Sequence, residues 1–445
     1  MAGLSDGTRS CFDVDLRSGY LSRLSILLLA FSLLAGLETH AQTLTVLHEF
    51  TGGPDGSNPV SSMVLDRSGN LYGVAPFGGS QMCQTSNGIG CGTAFKLTHR
   101  GNGWIFSTLY QFAGHGDGAN PIATPTIAAD GTIYGTTDAG GNGNCRDTWG
   151  DGCGTVFYLQ PRPTICASLA CPWNETILYR FQGTFDGNDP LAGVTLAPGG
   201  IYGTTYQGGA RSAGGIYQLL PSLSGWVLDV IHSFEGGADG AFPTSAVIFD
   251  AAGNLYGTTQ GGGTGGNCLD GGCGTVYQLT YTNMNWYESI LYNFAPSEDE
   301  PLGGLIFDPA GNLYGTFSNQ VNGVFELSPP MGGNWTFTTL YAQDYGRISF
   351  HGTLARDTAG NLYGTSEFGG NFNCNNGCGL VYKLSPGDGG WTYSQLYAFT
   401  GGADGAYPIG GVALDSNGNI YGTTSSGGNN HCGSQGCGVV WEITP

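Results

Sequence analysis

Apolar and polar positions recur along this chain in one fixed order, seven times over. Each repeat centres on Leu/Ile-Tyr-Gly, with its tyrosine at 72, 134, 202, 256, 314, 363 and 421. Four short strand-like segments surround that motif. The first, such as Gly303–Phe307, is apolar and opens on small residues. A turn of the type Asp-Pro-Ala-Gly-Asn leads to the second, Asn312–Thr316, and its glycine supplies the positive φ that tight hairpins favour. After a variable Gly-rich loop comes the third, such as Thr275–Leu279. The fourth follows Gly-x-Trp and ends in Leu-Tyr-x-Phe, as in Trp391–Phe399. Simple alternation puts Trp391, Tyr393, Tyr397 and Phe399 on one face, as a half-buried sheet requires.

Four antiparallel strands repeated seven times predict an all-β fold, a seven-bladed β-propeller of four-stranded blades. A lone sheet this short cannot bury both faces, so neighbouring units must pack on one another. The ends of the repeat array fit together. Thr43–Phe50 reads as a fourth-type strand and Gly438–Thr444 as a third-type strand. Pairing them completes the last blade with the N-terminal strand and closes the ring, leaving residues 42–445 as one domain.

The chain ahead of the repeats is different. Residues 25–37, SILLLAFSLLAGL, form an uncharged apolar run preceded by Arg17 and Arg23 and followed by Thr39-His40-Ala41. That pattern predicts a signal peptide over 1–41, cleaved after Ala41. The run is short for a membrane span, and nothing after it is apolar enough to cross one. The expected location is extracellular or periplasmic.

Cysteine usage agrees with export. Cys11 falls in the leader, and the other twelve form six close pairs: Cys83 with Cys91, Cys145 with Cys153, Cys166 with Cys171, Cys268 with Cys273, Cys374 with Cys378, and Cys432 with Cys437. Zinc would need two pairs brought together, usually with histidine. Five of the pairs instead recur in corresponding loops of different repeats, while Cys166 and Cys171 sit in a later loop of their own unit. Disulfides are expected for all six. No metal or other cofactor is expected.

Charge narrows the partners. With 13 Lys+Arg against 33 Asp+Glu the net charge is −20, which argues against nucleic acid and against an anionic membrane surface. A neutral glycan or a divalent cation remains compatible, as does acidity that serves solubility alone.

The recurring text DxxGNLYGTTxxGG…GCGTVYxL, as in Asp250–Thr258 with Gly272–Leu279 and Asp357–Thr365 with Gly377–Leu384, resembles the choice-of-anchor tandem-repeat family called GloVer. The resemblance spans nearly the whole repeat region and implies exported bacterial proteins with differing C-terminal anchors. This chain stops at Ile443-Thr444-Pro445 without a sorting motif or apolar tail, so release is expected rather than surface attachment. The resemblance brings no activity with it.

Candidate chemistry is thin. The loop after the fourth strand carries Asp-Gly in five units, contributing Asp55, Asp117, Asp186, Asp239 and Asp404. These are the candidate ligand-binding residues, on the face that also bears most of the cysteine loops. The alternative is that each aspartate only fixes its own turn. Symmetry breaks where Glu298-Asp299-Glu300 replaces Asp-Gly and where the next such loop reads Gln343-Asp344-Tyr345-Gly346-Arg347. His351 stands where other units carry Val60, Ile122, Leu191, Thr244, Leu302 and Ile409. His351, with Asp344 and Arg347, is the candidate for acid–base catalysis at the channel mouth. Solvation of a histidine in a degenerate repeat explains the position equally. His48 and His232 substitute for tyrosine in the fourth strand and read as structural. The expected function is a non-enzymatic binding or scaffolding propeller; the alternative is a polysaccharide-active hydrolase or lyase at the channel mouth.

Overall fold

The computed structural model describes residues 42–445 except 85–87, 102, 142, 146–150, 162–172, 267, 269–270, 297, 299, 319–320, 331, 345–348 and 430. The expected leader and Arg347 lie outside the described residues, as does the side chain of Asp344. The same holds for Cys166 and for Cys171, so the disulfide expected between them falls outside the described residues as well. Within the described residues the chain forms seven sheets, antiparallel except for the short strand Gly369–Gly370 that pairs parallel on the sixth, and the only other regular structure is a pair of 3-10 turns at His115–Asp117 and Gly237–Asp239. Blade 4 is typical: Ile248–Phe249, Leu255–Thr259, Thr275–Thr282 and Asn285–Asn293 pair in that order, from the axis outward. The innermost strands span only two or three residues. Their openings from all seven units line one central channel, so the fold is the expected seven-bladed propeller.

The Leu/Ile-Tyr-Gly motif is explained by what lies on it. In every blade the glycine faces a fully buried aromatic residue of the third strand, such as Phe95, Tyr277 or Trp441. A Cβ on Gly73, Gly257 or Gly422 would stand 2.6, 2.2 or 2.3 Å from that ring. The motif tyrosine has a second task. In blades 1, 4, 5, 6 and 7 its hydroxyl donates to the aspartate that opens the preceding turn, as from Tyr72 to Asp66 at 3.0 Å. The same carboxylates accept backbone N–H groups from their own turns, which explains the DxxGN spelling.

Successive blades are fastened by two repeated bonds. The threonine after the motif glycine donates its hydroxyl to a carbonyl just ahead of the next blade's first strand: Thr136 to Ala192, Thr204 to Ser245, Thr365 to Gly410 and Thr423 to Ser61. Nearer the outer rim of the channel, Asn58, Asn120, Asp189, Phe242, Glu300 and Tyr407 each donate a backbone N–H to the preceding blade, in five cases to a cysteine carbonyl. Each of these six has φ between 54° and 60° and precedes a proline. That conformation is disfavoured for a side-chain-bearing residue and more so before proline. The inter-blade bond offsets its cost.

Ring closure follows the expected pairing. Thr43–Glu49 pairs antiparallel with Val439–Thr444, placing Leu44 opposite Ile443, Val46 opposite Trp441 and His48 opposite Val440. The simple alternation expected for the fourth strand does not hold. Every fourth strand carries a bulge at its Leu/Ile, for example Leu396, where Gln395 pairs with Tyr382 but Tyr397 pairs with Val381. One extra residue inverts the facing of everything beyond it. Trp391 and Tyr393 therefore pack toward blade 5, whereas Tyr397 and Phe399 pack toward blade 7.

Candidate functional site: the loop face and the channel

One face of the ring carries both the loops between fourth and first strands and the loops between second and third strands. Short bridges tie the two sets, as between Ser57 and Phe77 or Ala406 and Ser426. Five disulfides staple the second set: Cys83–Cys91, Cys145–Cys153, Cys268–Cys273, Cys374–Cys378 and Cys432–Cys437. They are five of the six expected bonds; the sixth, which would join Cys166 to Cys171, lies outside the described residues. The loops interlock closely. A Cβ on Gly114, Gly183 or Gly401 would stand 2.2 to 2.6 Å from the sulfur of Cys83, Cys145 or Cys374. Such disulfides fit an oxidising compartment. Among the described residues no helix is long and apolar enough to cross a membrane.

The five loop aspartates turn inward to their own loops. Asp404 accepts the Thr400 N–H at 2.8 Å and the Tyr397 hydroxyl at 3.0 Å. Asp186 does the same with Gln182 and Tyr179, and Asp117 with Ala113 and Tyr110. Asp55 accepts from the Thr51 N–H and lies 3.1 Å from Nε2 of His48, while Asp239 accepts from the Glu235 N–H. Where Asp-Gly is absent, Glu298 takes the tyrosine bond, accepting from Tyr292 at 2.6 Å. These side chains shape the face; their carboxylates do not converge on one point.

The channel encloses about 390 Å3. Its wall is made of small and aliphatic residues, and among the described residues His351 is the one titratable side chain in it. Two residues not singled out from the sequence hold this imidazole. Nε2 lies 2.7 Å from Oγ of Ser349, and Nδ1 lies 3.3 Å from Oε2 of Glu367. The ring keeps 27% of its surface toward the channel, yet the surrounding protein pushes its pKa down to about 4. Burial raises Glu367. Ser349 is itself buried and also bonds Ser318. The acid partner of His351 is thus Glu367, supplied by the end of its own blade's second strand.

Two further residues depart from the repeat in the fourth strand. Two positions after the fourth-strand tryptophan stand Phe106, Leu228, Phe337 and Tyr393, but also Glu175 and Glu288. This position packs on the preceding blade's Tyr or His, as Phe106 stacks on His48 at 3.7 Å and Phe337 on Tyr292 at 4.1 Å. A carboxyl group there is partly shut off from water. Burial, then the neighbouring loop aspartate, pushes Glu175 beside Asp117 and Glu288 beside Asp239 up to about 9 each. In the first cluster the Tyr110 hydroxyl lies 2.7 Å from Asp117 and 3.2 Å from Glu175, bridging them. In the second, His232 takes the place of the tyrosine. Comparing repeats at this column in the sequence would have found both.

Among solved structures, the chain is similar to a Bacteroides uniformis protein provisionally described as a 6-phosphogluconolactonase, at 14% identity and TM-score 0.47, covering 79% of this chain and 87% of that one. It is also similar to a Thermus thermophilus protein provisionally described as an oxidoreductase (glucose dehydrogenase), at 13% identity and TM-score 0.42, covering 91% and 100%. No curated protein matches the sequence. Residues 151–345, which include every strand of blades 3, 4 and 5, match the model of the Gloeobacter/Verrucomicrobia repeat. The stretch so matched carries the repeat that the sequence resembles, and it lies within the seven-bladed ring.

Proposed function

We propose that this chain is an exported, non-catalytic binding propeller that recognises a neutral glycan on its loop face. Export rests on the leader pattern of residues 1–41 together with the disulfides. The observation that carries the binding reading is apolar exposure. Met82, Ile89, Phe185 and Phe372 are 69, 60, 79 and 70% exposed, and all four stand on loops of this one face. Exposed aromatic and aliphatic groups amid turn carboxylates suit the apolar faces and hydroxyls of sugar rings. Rigid loops favour such binding because little order must be gained on association. Asp55, Asp117, Asp186, Asp239 and Asp404 act in this reading by fixing the loops that present those groups.

A second reading is favoured by one arrangement alone. Ser349, His351 and Glu367 stand in the order nucleophile, base and orienting acid, with Nε2 facing the hydroxyl and Nδ1 facing the carboxylate. Such a relay cleaves acyl bonds, so this would make the channel mouth a site that hydrolyses ester groups carried on a polysaccharide.

Incubation of the purified protein with a panel of soluble and insoluble polysaccharides separates the two. The binding reading expects retention on one class without product, weakened in Phe185→Ala and Phe372→Ala. Product release abolished by His351→Ala or Ser349→Ala overturns it in favour of the hydrolase.

A further inference from the structure

His232, Asp239 and Glu288 bring one nitrogen and two carboxylate oxygens together across the boundary of blades 3 and 4. Nε2 of His232 lies 3.6 Å from Oδ1 of Asp239 and 3.6 Å from Oε1 of Glu288, and all three ligand atoms fall within 4.8 Å of one another. Among the described residues this is the one cluster of three such groups so placed.

The other blades serve as internal controls. In the matching cluster of blades 1 and 2, the Tyr110 hydroxyl fills the centre and bonds both carboxyl groups. Where His48 replaces the tyrosine at the ring closure, the facing residue is Phe106, which stacks on it. Only between blades 3 and 4 do histidine, loop aspartate and facing glutamate coincide. There neither Nε2 of His232 nor Oε1 of Glu288 has a hydrogen-bond partner. Two buried polar atoms left without partners are costly, and 3.6 Å is too long for a hydrogen bond. It is close to the spacing of donors around a small cation. With metal–ligand bonds of about 2.0–2.2 Å in tetrahedral geometry, donor atoms stand roughly 3.3–3.5 Å apart.

We propose that His232, Asp239 and Glu288 form a site for a zinc-class divalent cation that clamps blade 3 to blade 4. One imidazole with two carboxylates suits borderline cations. The side chains are 19, 25 and 13% exposed, so a fourth position stays open toward solvent. This clamp is independent of what the loop face recognises.

Zinc ions titrated into the chelator-treated full chain test it by calorimetry and thermal melting. The expected result is one equivalent bound, with a melting temperature that rises with free zinc. His232→Tyr installs the residue found at this position in blades 1, 2, 4, 5 and 6, so it suits the fold, and it should weaken binding more than tenfold. Glu288→Gln should do likewise. Glu175→Gln, the matching change in the control cluster, should leave binding unchanged. No binding by the native chain, or unaltered binding by both His232→Tyr and Glu288→Gln, overturns the proposal.

Discussion

Thr423 donates its hydroxyl to the carbonyl of Ser61 across 2.9 Å, joining the last blade to the first through residues 362 positions apart in sequence. It is the same fastener that Thr136, Thr204 and Thr365 make between blades adjacent in sequence. Valine has nearly the same shape but cannot donate. Thr423→Val should therefore destabilise the ring by about 1–3 kcal/mol, the cost of leaving a buried carbonyl unpaired. Chemical denaturation against the native chain measures it. No change in midpoint would mean that closure rests on strand pairing alone.

Removal of residues 42–50 takes away the outer strand of blade 7. Val439–Thr444 becomes an unpaired edge, and Val440, Trp441 and the pocket of Phe50 lose their cover. An apolar edge of this kind recruits other chains. Light scattering on freshly purified truncated protein should show oligomers or aggregates where the full domain is monodisperse. A monodisperse, folded truncation would show that the closing strand is dispensable.

The five disulfides close loops of four to eight residues in sequence separation. Their stabilisation belongs at or below the low end of the usual ~2–4 kcal/mol, because short loops lose little chain entropy. Reduction without denaturant should leave the β-rich circular dichroism intact while the stapled loops become sensitive to protease. Collapse of the spectrum on reduction alone would contradict this.

Glu175 predicts a pH signature. Burial raises it in the native chain from an ordinary 4.5 to about 9. The folded protein therefore keeps a proton that the unfolded chain releases, and stability falls as pH rises between those values. The contribution is complete below pH 4.5 and lost as pH approaches 9. Glu175→Gln removes this dependence, so melting temperatures between about pH 5 and 9 should fall less steeply in the variant. Identical slopes would place Glu175 in contact with water.

The ring is readable from the chain because its signals are periodic: the Tyr-Gly motif, the Asp-Gly loops and the two mismatched ends each recur or complement. The bulge at Leu396 escapes such a reading because one extra apolar residue leaves a strand looking like a strand. Facing is set by pairing with Val381 and Tyr382, which alternation alone does not report. Glu367 as the partner of His351, and Glu288 as the partner of His232, escape for another reason. Both contacts join segments that are distant in their repeats, one across a blade and one between blades. The loop aspartates are visible as a group, but the choice between turn and ligand needs their bond partners.

The place where the ring is cut has a consequence for copy number. The break falls between third and fourth strands, so the covalent unit and the spatial unit are out of phase by one strand. Insertion or loss of one whole repeat would leave the same two unmatched ends, each still fitting the other. The termini thus carry no information about how many units belong in the circle. That number is set by the wedge angle of the packed sheets and by the width of the channel that their small first-strand residues allow.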